Sequence, residues 1–175
     1  MAAVTLEINA PQAYIKQPLI WRLGKLYNVV TKIKRARATE DYGYFALELE
    51  GSGTEVEMAT HYLRSLGVAK GGEPGEKPTN PLKPEDNIKQ PNSIYVRLDS
   101  VNGGQSHAPL IYRIGKDFDA VVTVERAAFD EEDGGSVEIV ISGALIEVQR
   151  AIAFLHTTGL HVNPRQRSVT DYSNL

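Results

Sequence analysis

The chain has 175 residues, of which 42% are hydrophobic, so it is long enough for one ordinary core or for two small ones. Its formal charge of −3 gives no basic field of the kind that attracts nucleic acid, so we expect no nucleic-acid partner. The absence of cysteine excludes disulfides, thiolate metal sites and iron–sulfur clusters. Neither a membrane-spanning apolar run nor a signal peptide is recognisable, which predicts a cytoplasmic protein that does not span a membrane.

The first predicted elements are a strand and a helix. Apolar residues alternate with polar ones over positions 4–8, which is the pattern of a strand with one buried face. Leu19, Leu23 and Tyr27 then recur at helical spacing. Pro18 precedes them, and proline is well tolerated where a helix begins.

A hairpin and a second helix follow. The β-rich runs VVTKIKRARA and YFALELE are joined by the polar turn Thr39 to Gly43, which predicts two antiparallel strands. A second amphipathic helix is predicted from Gly53 to Leu66, and it ends at Gly67, where a C-terminal glycine is expected. Val68 to Lys70 are predicted to form a short last strand.

The same elements are then predicted a second time. The octapeptide PLIWRLGK at residues 18–25 recurs almost unchanged as PLIYRIGK at residues 109–116, an offset of 91 residues. Small changes of this offset also align the first strands and the second helices. The second copy is predicted to contain a strand near 94–98, a helix behind Pro109, a hairpin turning at Asp130 to Gly135, a helix from Ala144 to Thr158 and a strand from Leu160 to Asn163.

The order βαββαβ, found twice, predicts an α+β protein of two tandem ferredoxin-like domains. Each domain is expected to have a four-stranded antiparallel sheet with two helices on one face. The predicted divisions are a first domain at 1–70, a linker at 71–92, a second domain at 93–164 and a C-terminal tail at 165–175. The linker contains five prolines and few apolar residues, so we expect it to be weakly ordered and sensitive to proteases.

Both copies resemble the NIL domain, a small ferredoxin-like module. The resemblance lies in an apolar first helix that ends Gly-Lys-x-aromatic, a hairpin, and then a Gly, Glu-Val, Ala, Leu, Gly pattern along the second helix. It covers roughly 4–70 and 94–164. The family occurs on the ATPase subunit of methionine ABC transporters, where it dimerises and senses the amino acid. The resemblance therefore implies a regulatory module that binds a small ligand of the amino-acid type. No phosphate-binding GxxxxGK[ST] motif is present, so the chain would be the sensor part alone.

The resemblance also implies where the ligand binds. The positions of the Asn-Ile-Leu motif that names the family are occupied by Lys32, Ile33 and Lys34 in the first copy and by Thr123, Val124 and Glu125 in the second. These six residues are the predicted ligand-binding positions. Neither copy has the asparagine of the family motif, so the ligand itself is not identified.

No catalytic or metal-binding constellation is recognisable. The four histidines (His61, His107, His156 and His161) have no acidic or thiol partners that complete a metal site, and no serine lies in a GxSxG motif. The acidic run 130–133 is interpreted as a solvated turn. The glycines Gly103 and Gly104 are interpreted as a permissive loop rather than a phosphate site. We therefore expect a non-enzyme without a metal ion or cofactor.

The charges predict that the two copies pack on each other. Residues 3–70 carry a net charge of +2 and residues 93–164 a net charge of −5. Matched positions also reverse sign, and the predicted contact residues between the domains are Glu7, Lys34, Arg97 and Glu125. The alternative is that Lys32 and Lys34 only pair with Glu48 and Glu50 across their own hairpin.

Three functional hypotheses remain open at this point. The first is a regulatory module that binds a small molecule such as an amino acid. The second is a structural adaptor that binds an unknown protein partner without a small ligand. The third, with the least support in the sequence, is a small enzyme. We expect an intramolecular pair of domains, and the sequence leaves homo-oligomerisation open.

Overall fold

The computed structural model describes residues 2–11, 18–39, 41–69, 92–100 and 109–165, and these residues form seven strands and four helices. The strands are β1 (Ala2–Pro11), β2 (Val30–Ala38), β3 (Tyr42–Gly51), β4 (Asn92–Ser100), β5 (Ala120–Asp130), β6 (Gly134–Gly143) and β7 (His161–Arg165). The helices are α1 (Leu19–Tyr27), α2 (Gly53–Ser65), α3 (Leu110–Asp117) and α4 (Leu145–His156). None of the described helices is long and apolar enough to cross a membrane.

Local sequence explains where the helices begin and end. Helices α1 and α3 each start directly after a proline, as predicted. Helix α2 starts with a capping box, because the Ser52 side chain accepts a hydrogen bond from the Glu55 amide and the Glu55 carboxylate accepts one from the Ser52 amide. After α2 and α4 the chain reverses through Gly67 and Gly159, whose φ angles of 76° and 83° favour glycine.

The seven strands form one antiparallel sheet in the order β1-β3-β2-β5-β6-β4-β7. Along the strands, buried residues alternate with more exposed ones, and the buried set packs with the apolar residues of all four helices in one core. The architecture is therefore α+β, as predicted, with the helices covering one face of the sheet. The predicted pair of separate four-stranded sheets is wrong, because β2 pairs with β5 and joins the strands of both halves into one seven-stranded sheet.

The two halves of the chain meet at the centre of this sheet. Residues 35–38 of β2 pair antiparallel with residues 127–130 of β5. Arg37 lies opposite Ala128, and these two residues are themselves equivalent at the offset of 91. A pseudo-twofold axis therefore passes between Arg37 and Ala128 and relates β2 to β5.

Each of the two central strands contains a bulge at an equivalent place. In β2 the register shifts between Ile33 and Arg35, which leaves Lys34 as the extra residue. In β5 it shifts between Val124 and Arg126, which leaves Glu125 as the extra residue. Lys34 and Glu125, one of the matched pairs with reversed charge, therefore have the same backbone environment in the two halves.

The last strand differs between the halves. In the second half β7 pairs with β4 over residues 161–165. In the first half, the predicted strand at 68–70 is reduced, among the described residues, to a single bridge between Ile8 and Ala69. The sequence after Ala69 is Lys-Gly-Gly, which has low strand propensity, whereas Val162 supports pairing in the second half.

Most of the predicted linker lies outside the described residues, which resume at Asn92, the first residue of β4. The described residues also leave out the loop with Gly103 and Gly104, the histidine His107, and the tail after Arg165.

Candidate functional site

The repeated octapeptides contact each other where α1 crosses α3. A Cβ atom on Gly115 would lie 2.8 Å from Nε1 of Trp21, so the Trp21 ring rests directly on this glycine. In the reciprocal contact, a Cβ atom on Gly24 would lie 2.9 Å from the Tyr112 ring. The aromatic residue of each octapeptide thus packs on the glycine of the other, which explains why both copies need an aromatic residue three positions before a glycine.

Hydrogen bonds fix this crossing. The indole Nε1 of Trp21 donates to the carbonyl oxygen of Ala120 at 2.9 Å, across the boundary between the two halves. The Tyr112 hydroxyl donates to Oδ1 of Asn28 at 3.3 Å. Each aromatic side chain is therefore held both by the packing of its ring on a glycine and by a hydrogen bond to a residue of the other half.

An apolar cavity of about 30 Å³ lies under the start of α3. It is lined by Thr31, Ile33, Leu98, Pro109, Leu110, Ile111, Phe129, Val137 and Ile139. Thr31 and Ile33 come from the first half, and the other residues come from the second half. The cavity admits a water molecule or the tip of a small aliphatic group.

The Thr31 hydroxyl is the unusual feature of this cavity. Thr31 is only 3% exposed, and its Oγ1 has no hydrogen-bond partner among the described residues. A buried hydroxyl without a partner costs about 1–3 kcal/mol. The equivalent residue of the second half is Val122, which fills the same kind of position without a polar atom. An unsatisfied hydroxyl beside a cavity marks a place where a ligand group can form a hydrogen bond.

The predicted ligand-binding residues lie on the two central strands. Of the first-half positions, Ile33 lines the cavity, whereas Lys32 is half-buried and the bulge residue Lys34 forms ion pairs. Of the second-half positions, Val124 is buried in the core, while Thr123 and Glu125 are half-buried. The structure therefore brings Ile33 to a cavity but does not gather the six residues around one site.

Of the predicted contact residues between the halves, Lys34 lies at the boundary. Its Nζ is 3.2 Å from Glu48 in its own half and 3.7 Å from Glu131 in the other half, and the hydrogen bond to Glu48, with the charges of both carboxylates, raises the pKa of Lys34. A second ion pair joins Arg35 to Asp130 at 3.3 Å. The boundary thus contains opposite charges, and the hairpin pairing of Lys34 with Glu48 is present as well.

The other three predicted contact residues lie away from the boundary or make local contacts. Glu7 accepts a hydrogen bond from the Tyr44 hydroxyl at 2.8 Å, two strands from the boundary. Arg97 pairs with Asp99 at 3.1 Å on β4. Glu125 lies near Tyr95, whose pKa is raised to about 12 chiefly by burial and then by its hydrogen bond to Glu138.

The histidines do not form a metal site in the part of the chain that the structure describes. His61, His156 and His161 are exposed there, and no group of three metal-ligating side chains occurs among the described residues.

Two features of the site escaped the sequence-based interpretation. The first is the Thr31 hydroxyl. A comparison of the copies shows that Val122 stands at the equivalent position, but it does not show that the hydroxyl is buried without a partner. The second is the packing of Trp21 on Gly115, which joins residues far apart in the chain and leaves no periodic pattern.

Comparison with known proteins finds a family similarity in the first half of the chain. Residues 4–69 match the family model of the NIL domain, which confirms the predicted resemblance for this part of the chain. Among solved structures, the C-terminal domain of an ABC transporter ATP-binding protein from Enterococcus faecalis is 22% identical, with 45% of this chain and 89% of that chain covered and a TM-score of 0.39. The small subunit of acetolactate synthase from Thermotoga maritima is 14% identical, with 96% and 100% covered and a TM-score of 0.27. No curated protein matches the chain.

Proposed function

We propose that this protein is a non-catalytic, cytoplasmic regulatory module that binds a small ligand of the amino-acid type between its two halves. In this proposal residues 1–70 and 93–164 are two NIL-like ferredoxin-like domains, joined by a linker at 71–92 and followed by a tail at 165–175. The match of residues 4–69 to the NIL domain supports the first of them. The observation that carries the proposed binding is the unpartnered Thr31 hydroxyl beside an apolar cavity.

The chemistry around the cavity indicates the ligand class. The apolar walls favour an aliphatic or thioether group, and the small volume admits the tip of such a side chain rather than a whole ligand. The start of α3, Leu110 and Ile111, also lines the cavity, and the first amides of a helix have no partner within it. These amides favour a negatively charged group such as a carboxylate. An apolar tip with a nearby carboxylate is the chemistry of an amino acid.

A ligand in this place would contact both halves at once. Thr31 and Ile33 belong to β2, and Leu110 and Ile111 belong to α3 of the second half. Binding would therefore stabilise the junction of the halves, and a protein partner that recognises the joined form would respond to the ligand.

A thermal-shift screen tests this proposal on the full chain. Each common amino acid is added in turn, and a ligand at 100 times its dissociation constant stabilises the folded state by about 2.7 kcal/mol. In Thr31→Val the hydroxyl is lost at nearly constant volume, so we expect the ligand-dependent rise in melting temperature to shrink. Thr5→Val is the matched control, because Thr5 is exposed on the outer strand β1. A flat screen, or equal responses of the two variants, would contradict the proposal.

The second candidate is a structural adaptor without a small ligand. The observation that favours it is a pair of exposed apolar side chains at the start of α4, Leu145 at 51% and Ile146 at 61% exposure. A pull-down from the native host with the wild-type chain and with Leu145→Ser/Ile146→Ser distinguishes the two. A partner that is lost only from the double variant, together with a flat amino-acid screen, would favour the adaptor.

A further inference from the structure

A second, polar crevice lies where α1 crosses α3, away from the Thr31 cavity. It has a volume of about 380 Å³ and is lined by Trp21, Gly24, Lys25, Asn28, Tyr112, Gly115 and Lys116. This volume lies within the range of small-molecule sites in proteins. The lining set contains two lysines and an amide but no carboxylate.

The two lysines line the same crevice because the octapeptides are related by the pseudo-twofold axis. Lys25 and Lys116 are the final residues of the two copies, and each lies four residues after the aromatic residue of its own helix. Their ammonium groups lie 5.7 Å from the Trp21 ring and 5.8 Å from the Tyr112 ring. In the part of the chain that the structure describes, neither lysine forms an ion pair with a carboxylate.

Placement in the last turn of a helix accounts for each lysine separately, since cations are favourable there. It does not account for two lysines that line one crevice, where like charges repel each other. A bound anion would remove this repulsion.

The end of α1 adds a third donor to the crevice. Asn28 closes α1 in the left-handed conformation, with φ 53° and ψ 35°, a conformation that asparagine tolerates better than most residues. Its Oδ1 accepts a hydrogen bond from the Tyr112 hydroxyl, so its side-chain N–H groups remain available to a ligand.

We propose that this crevice binds a compact anion with at least two negative charges, held by Lys25, Lys116 and the Asn28 amide. The ligand class is a small molecule that carries a phosphate or several carboxylate groups. The anion would bridge α1 of the first half and α3 of the second half. This site is separate from the amino-acid site proposed above, and it does not depend on it.

The test measures binding to the full chain by calorimetry at low salt, with inorganic pyrophosphate and citrate as separate probes. Saturable binding of pyrophosphate alone identifies a phosphate site, and binding of citrate alone identifies a carboxylate site. We expect Lys25→Gln and Lys116→Gln each to weaken binding about tenfold, the usual loss for a charge-assisted contact, and the double variant to abolish it. Asn28→Asp should also weaken binding, because it places a negative charge in the crevice.

The matched control is Arg64→Gln/Arg150→Gln, which removes the same total charge from the exposed faces of α2 and α4. The proposal predicts wild-type affinity for this control. The proposal is overturned if neither probe binds to the wild-type chain, or if the control loses affinity as much as the lysine double variant. Thr31→Val serves to separate the two sites, because it should leave anion affinity unchanged whether or not the amino-acid site exists.

Discussion

The crossing of α1 and α3 can be tested by adding a single methyl group. In Gly115→Ala the new Cβ would lie 2.8 Å from Nε1 and 3.0 Å from Cδ1 of Trp21, and both distances are shorter than an ordinary van der Waals contact of a Cβ atom. The ring cannot move freely, because its Nε1 donates to the Ala120 carbonyl oxygen at 2.9 Å. The substitution therefore forces the helices apart or breaks this hydrogen bond.

The expected cost follows from three contributions. Overpacking of a tight contact costs about 1–3 kcal/mol. Loss of the Trp21 hydrogen bond costs about 1 kcal/mol more. Replacing glycine by alanine within a helix returns about 0.5–1 kcal/mol. We therefore expect Gly115→Ala to lower the free energy of unfolding by about 1–3.5 kcal/mol.

Urea unfolding followed by fluorescence suits this experiment, because Trp21 is the single tryptophan of the chain and lies in the contact itself. Gly53→Ala is the matched control, since a Cβ at Gly53 would have no atom within 4 Å and the residue also lies in a helix. The control should be neutral or slightly stabilised. If Gly115→Ala were as stable as Gly53→Ala, with an unchanged emission maximum, the tight helix crossing would be wrong.

Three further predictions concern a helix cap, the boundary and the response to pH. Ser52→Ala removes the capping box of α2 and should lower the free energy of unfolding by about 1 kcal/mol. Ala144→Ser should raise it, because α4 has no side-chain cap. Urea unfolding that ranked the two variants in the opposite order would contradict this. Lys34→Glu should lower the melting temperature by placing like charges together at the boundary, and adding Glu131→Lys should restore part of the loss; no recovery in the double variant would argue against the ion pair. The pKa of Tyr95 is raised from 10.0 to about 12, so the folded state favours the neutral form and the contribution of Tyr95 to stability is lost as the pH rises from 10 to 12. The Tyr95→Phe variant should therefore lose less stability than the wild-type chain over this pH range. Equal losses of the two proteins in urea titrations would refute the assignment.

Local patterns in the sequence predicted most of the individual elements. Alternation identified the strands, helical spacing identified the four helices, and Gly67 and Gly159 marked two helix ends. The repeated octapeptide indicated that the same element order occurs twice. The predictions of individual strands and helices succeeded because hydrogen bonding and burial within such an element depend on residues that are close in the sequence.

The candidate sites were predicted only in part. Ile33 was among the predicted ligand positions and does line the cavity, but the signal that selects Thr31 is a buried hydroxyl whose lack of a partner is visible only in three dimensions. Reversed charges indicated opposite charges where the halves meet, and Lys34 lies there. No pattern in the sequence distinguishes Glu131, the partner of Lys34 in the other half, from Glu125 at the matched position.

Only the tertiary structure decided how the halves join. The pairing of Arg37 with Ala128, the continuous sheet and the packing of Trp21 on Gly115 each connect residues about ninety positions apart. Such contacts depend on which edges and faces remain uncovered after each half has formed, and on whether their shapes and charges fit together. The periodicity of apolar residues indicates that a residue is buried, but it does not indicate which residue covers it. The sequence by itself therefore determined the strands and helices, and long-range packing determined how they assemble.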